Sequence, residues 1–143
     1  MNKLNPDSLF SIFEQGDIEV YKEHNIEEVL NNPFTLLGTV VSGLENYHLL
    51  DKMHLLKYQD RYVEVRGKLQ TRYYLRIYGY LSKISVGSMR EVILKDTQLD
   101  VGRTIEALLD LQQHFQSIEQ YERCAEIKKR NDILINKKLE DLL

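Results

Sequence analysis

The sequence predicts a mostly α protein: a helical bundle closed by an antiparallel helical hairpin at its C-terminal end. Three observations predict it. Of 143 residues only Pro6 and Pro33 are proline, so no proline stop interrupts the chain after residue 33. Apolar residues recur there at three- and four-residue steps, the helical period. Between Thr104 and Leu134 two such runs flank a short polar joint.

In chain order, Asp7-Ser8 caps a short helix over Leu9–Gln15 that Gly16 ends, and Asn25 caps another over Ile26–Leu30. Phe34 to Leu50 follows as one helix, with Leu37, Val40, Val41, Leu44, Tyr47 and His48 in register. Gly38 and Gly43 each weaken it by about 1 kcal/mol relative to Ala, unless they let a second helix approach closely.

From 54 to 84, Leu55, Tyr58, Tyr62, Val65, Leu69, Tyr73, Ile77, Tyr80 and Ile84 form one stripe at 100° per residue. A single helix there spans roughly 45 Å at 1.5 Å per residue. Its β-branched and aromatic residues also suit strands, with Gly67 as a turn. The alternative is therefore an α+β fold with a small hairpin within 60–82. Alternation fails at Tyr73-Tyr74-Leu75, which favours the helix. Tyr74, Tyr78 and Leu81 lie away from the stripe. A helix apolar on two sides is central in a bundle or meets a second copy or a partner.

Met89–Leu94 is short and fits either class. A helix then starts at Thr97 or Asp100 and carries Val101, Ile105, Leu108 and Phe115. Gln116–Gln120 is the joint, and the last helix runs from about Tyr121 toward Lys138. Residues 1–96 are expected as an N-terminal helical region and 97–143 as the hairpin.

Composition narrows the function. Apolar residues at 43% and charged residues at 29% describe a chain that folds on a core. Net charge is −3, which does not suit a wholly basic nucleic-acid binder. The charge is blocked: residues 1–53 carry net −6, 54–84 net +5 and 85–143 net −2. A basic middle between acidic flanks attracts them or presents a contact surface. The single cysteine, Cys124, leaves no internal disulfide or cysteine-cluster zinc site and suits a reducing compartment. The N-terminal residues lack the apolar run of a secretion signal, and no stretch has the length of a membrane span. The expected location is cytoplasmic.

The second run of the hairpin opens Tyr121-Glu122-Arg123-Cys124-Ala125-Glu126-Ile127-Lys128. An aromatic and an acid are followed by two small residues and an aliphatic one. Small residues let two helix backbones approach, with Tyr121 and Phe115 filling the open end. Residues 104–134 resemble the UVR motif, a helical hairpin found in the repair proteins UvrB and UvrC, in the McsA adaptor and in some Clp ATPases. Its hallmark is an aromatic followed by acid-x-Ala-Ala-x-Leu-Arg-Asp, after a first amphipathic helix. Tyr121, Glu122, Cys124, Ala125 and Ile127 take the matching places, and Ile105, Leu108, Leu109 and Phe115 supply the facing side. Lys128 and Lys129 stand where that family has Arg-Asp, and Asn131 where it has an aliphatic residue. The resemblance implies protein–protein contact, with Tyr121, Arg123, Lys128 and Lys129 on or near the rim.

Six of the nine tyrosines fall between residues 58 and 80. On one continuous helix Lys57, Arg61, Lys68, Arg72, Arg76 and Lys83 fall within about 100° of each other. Such a face binds phosphates and, through tyrosine, stacks bases. It also serves as a solvated flank or meets an acidic protein.

No phosphate-binding glycine loop, dinucleotide fingerprint or HExxH pair occurs in the sequence. His24, His48, His54 and His114 are scattered, so no metal and no cofactor is expected. Cys124 sits where packing, not reactivity, is expected. Glu27-Glu28 and Asp17/Glu19 lie in polar stretches and suit solvated faces. The expected function is that of a small non-enzymatic adaptor or regulatory protein of bacterial or phage type, acting through the hairpin on a protein partner, with self-association allowed and no membrane. The alternative is a nucleic-acid-binding accessory protein using 57–83.

Overall fold

The computed structural model describes residues 32–143, and the first described helix opens on a well-formed cap. Asn32 is extended, and its Oδ1 accepts from the backbone N–H of Phe34 at 2.9 Å and of Thr35 at 3.3 Å. Pro33 fills the first helical position, where no N–H is missed. This starts α1, Pro33–Glu45. The helices expected at Leu9–Gln15 and Ile26–Leu30 lie outside the described residues.

The expected helix over Phe34–Leu50 is divided at Asn46, and α2 runs Tyr47–Tyr58. The break frees the last carbonyls of α1, which need partners. Tyr73 supplies one, its hydroxyl donating to Gly43 O at 2.9 Å.

The single helix expected over 54–84 is also broken. A 3-10 turn at Gln59–Arg61 starts on Gln59 at φ 49, and α3 runs Tyr62–Ser82. The chain folds back there, and Tyr62 Oη donates to Asp51 Oδ1 at 2.6 Å, eleven residues upstream. A non-glycine at positive φ costs about 1–3 kcal/mol, which that closure and its packing offset. The α+β alternative fails, because Tyr62–Ser82 is helical and no strand occurs among the described residues. Burial of a helical face outweighs the strand preference of its residue types.

The buried side of α3 also differs from the expected stripe. Tyr74, Ile77 and Leu81 are buried, whereas Leu55 on α2 is exposed. The second apolar side, with Tyr74 and Leu81, is thus a core side, and α3 is central in its C-terminal half.

Ser85 caps α4, Val86–Lys95, its Oγ accepting from Ser88 N–H at 3.1 Å. Asp100, the later of the two expected starts, caps α5, Val101–Ser117, by accepting from Arg103 N–H at 3.1 Å. Arg103 also donates through Nε and Nη2 to the two carboxylate oxygens of Glu45, tying α5 to the end of α1.

Helix α5 ends in a six-residue closure. Gln120 N–H donates to Phe115 O at 2.9 Å and Glu119 N–H to Gln116 O at 3.1 Å, with Glu119 at φ 60. That is the Schellman arrangement with a glutamate where glycine is usual. It turns the chain into α6, Tyr121–Leu142, four residues past the expected Lys138.

Helices α5 and α6 form the hairpin. Leu108, Leu111, Phe115, Ile127 and Leu134 are fully buried. Helix α1 packs on α3 and α5, and α4 packs on α6. One core cluster runs from Leu36 to Leu134, so the packing crosses the sequence boundary near residue 96. At Gly43 a Cβ would stand 2.5 Å from Ile77 Cδ1, so a close approach of α1 and α3 uses this glycine. Gly38 faces open space and does no such thing.

Candidate partner-binding surfaces

The hairpin end is built on a rigid base. Phe115 is fully buried, with its ring 5.6 Å from that of Tyr78 and 5.3 Å from that of His114. The Arg123 guanidinium lies 5.6 Å from the Tyr78 ring centroid and 5.9 Å from that of Phe115, and it donates to the Gln120 side chain. Arg123 is therefore half-buried and held by cation–π contacts. Tyr121, at the first position of α6, is 62% exposed.

Lys128 and Lys129 are exposed. Lys128 pairs with Asp132 at 2.9 Å, and Lys129 pairs with Glu126 at 2.9 Å. Exposed helix pairs of this kind are weak and readily exchange for a partner's charge. Glu126 has its carboxyl held below the usual value by the hydrogen bond from Lys129, then by that from Arg130.

The two small residues part company. Cys124 is half-buried and its Sγ donates to Gln112 O at 3.5 Å, so it does face α5. Ala125 is exposed and takes no part in the interhelical seam. Instead it lines a surface concavity with Tyr78, Tyr121, Arg123 and the glutamates 119, 122 and 126. On the α5 side Leu108 and Phe115 are buried and Ile105 is half-buried, as a facing side requires, but Leu109 is 40% exposed.

Two residues carry structural weight that spacing did not reveal. Arg130 is 6% exposed. Its Nε donates to Ile84 O at 2.8 Å, just beyond α3, and its Nη1 to Glu126 O at 2.8 Å. Asn131 is 1% exposed, and its Nδ2 donates to Ile105 O at 3.4 Å across the hairpin. A buried cation aimed at a helix end satisfies orphaned carbonyls. The only sequence signal was a polar pair interrupting an apolar helix side.

The basic set is divided by the turn at Gln59. Lys57 stays on α2, over the Tyr58 ring at 5.4 Å. Lys68, Arg72 and Arg76 remain on one side of α3, within about 80° at 100° per residue, with Arg61 and Lys83 at its two caps. That side lies opposite Ile77 and its buried neighbours. Arg61 pairs with Glu64 at 3.8 Å, and Arg76 Nε donates to Tyr80 Oη at 3.3 Å.

Three tyrosines of the stretch have their hydroxyls engaged within the fold. Tyr73 bonds Gly43 O, Tyr62 bonds Asp51, and Tyr74 Oη donates to Asp110 Oδ2 at 2.8 Å. Burial, then the Asp110 bond, pushes the Tyr74 phenol well above its ordinary value. The His114 ring lies 4.5 Å from that of Tyr74, and burial holds it below the ordinary histidine value while Asp110 opposes.

Among the described residues no three His, Cys, Asp or Glu side chains gather as a metal site. No helix among them is long and apolar enough to cross a membrane. Compared with known families, curated proteins and solved structures, the chain matches none.

Proposed function

We propose that this protein is a small non-enzymatic adaptor or regulator that binds a protein partner through the end of the α5–α6 hairpin. The observation that carries this is the exposed Tyr121 beside Ala125 and Tyr78 on a braced concavity. An exposed aromatic beside a small residue offers a rigid anchor next to a recess, the composition of interface hot spots. The resemblance of 104–134 to the UVR motif supports the same role. A cytoplasmic location, which the single Cys124 suits, and a bacterial or phage setting belong to the same proposal.

The test is capture by tagged full-length protein from its own cells, with and without nuclease, against Ala125→Arg and Tyr121→Ser. Both positions are exposed, so circular dichroism should match the parent. A protein retained after nuclease and lost with Ala125→Arg is the expected result. An unchanged set of bound proteins, or none, overturns the proposal.

A second reading is an accessory protein that binds nucleic acid through the basic side of α3. It is favoured by Lys68, Arg72 and Arg76 on the side of α3 away from the core, with Arg61 and Lys83 at its ends. Binding should then fall steeply with salt and vanish with Arg72→Glu/Arg76→Glu. Capture that survives nuclease and ignores that double variant excludes it.

A further inference from the structure

We propose that a second groove, between the N-terminal half of α3 and the end of α5, docks a short acidic amphipathic helix of a partner protein. Gly67, Thr71 and Leu75, at successive turns of α3, line it together with His114 and Ile118 from the end of α5. Gly67 and Ile118 are exposed, and Thr71 and Leu75 are half-buried. A Cβ added at Gly67 meets nothing within 4 Å, so the floor there is bare backbone with room above it. This groove shares no lining residue with the concavity at the hairpin end, and it stands independently of that surface.

Charge and spacing choose the occupant. Lys68 and Arg72 stand along one edge, one helical turn apart, or about 6 Å at 1.5 Å per residue. Carboxylates at i and i+4 of a facing helix have the same separation. A helix lying along α3 therefore meets both cations while its apolar side enters between Leu75 and Ile118. The one acid of the groove, Glu64, lies one turn before Lys68, so the lining keeps a net positive charge through Lys68 and Arg72. Small residues at Gly67 and Thr71 let the incoming backbone come close, as helix-in-groove recognition requires. A nucleic-acid strand would use the basic edge but leave the apolar floor unfilled.

The experiment is fluorescence anisotropy with full-length protein and a labelled helical peptide of about fifteen residues, with glutamates at i and i+4 and a leucine stripe. A matching peptide with lysine for glutamate and a labelled oligothymidine are the comparisons. The acidic peptide should bind at least about tenfold tighter than its lysine counterpart. Lys68→Glu/Arg72→Glu should weaken it about tenfold or more. Gly67→Leu, whose Cβ meets nothing within 4 Å, should do the same while leaving every charge in place. Equal binding of the two peptides, or affinity unchanged by Gly67→Leu, overturns the proposal. So does oligothymidine binding tighter than the peptide and indifferent to Gly67→Leu, which would assign the edge to nucleic acid. A dimer of this chain broken by Gly67→Leu would overturn it in favour of a second copy.

Discussion

Replacing Arg130 with Met removes the buried cation that joins α6 to the end of α3. Its Nε–H to Ile84 O bond is 2.8 Å long, and Ile84 is fully buried, so water has little access to replace the donor. A bond from a charged donor contributes about 1.5–3 kcal/mol, and the orphaned carbonyl is much of that cost. The Nη1 bonds to Glu126 O at 2.8 Å and to the Glu126 carboxylate at 3.2 Å go as well. Glu126 keeps Lys129 and a side chain 43% exposed, so no buried charge is left alone. Met retains apolar volume and relieves the desolvation of the guanidinium. The net loss should be about 2–3 kcal/mol, short of the roughly 3–5 kcal/mol for a fully buried pair broken on one side. At about 3–4 °C per kcal/mol for a chain of this size, the melting midpoint should fall by about 6–12 °C. Urea unfolding followed by circular dichroism measures the loss in free energy and a thermal melt the shift in midpoint, with Lys129→Met as the exposed control. The control should stay within about 0.5 kcal/mol of the parent. If Arg130→Met matches the control, the guanidinium does not hold the end of α3 and the reasoning is wrong.

Two further outcomes follow from the same packing. Gly38→Ala, with open space above it, should stabilise by about 0.5–1 kcal/mol through helix propensity. Gly43→Ala sets a methyl against Ile77 and should fall below Gly38→Ala by about 1–3 kcal/mol through overpacking, and equal thermal shifts would refute the close approach. At His114 the folded chain holds the ring below its ordinary value of 6.5, so the unfolded chain takes up the proton first as pH falls. Stability from the neutral ring is present above that value and is lost as pH drops through it toward the folded value. His114→Gln should lose less stability than the parent between about pH 7.5 and 5.5. Identical pH profiles would sink the assignment.

Helix existence was legible because its signals are local. Asp100 carries its own capping oxygen, and the hairpin showed as two apolar-periodic runs around a joint, whereas the sequence leaves the helix that Ser85 caps open between helix and strand. Tyr121 was expected both at the rim and, with Phe115, filling the open end; it is 62% exposed, so Phe115 alone is buried there. Ala125 was misplaced, because smallness alone does not say which way a residue faces. Arg123, placed on or near the rim, lines that end, and what spacing could not show is that the rings of Tyr78 and Phe115, distant in sequence, hold it half-buried.

By itself the sequence determined the helical class, the position of the hairpin and the concentration of positive charge in the middle of the chain. These depend on period, caps and composition, which a short window contains. Tertiary structure decided the breaks at Asn46 and Gln59, where folding back onto α3 outweighed continuing a helix. It also decided which side of α3 is core, since Tyr74 and Leu81 needed α5 and α1 beside them to be buried. Arg130 shows the physical reason most directly. A charged side chain becomes an interior one only when the carbonyl it must satisfy, Ile84 O, is brought to it from 46 residues away.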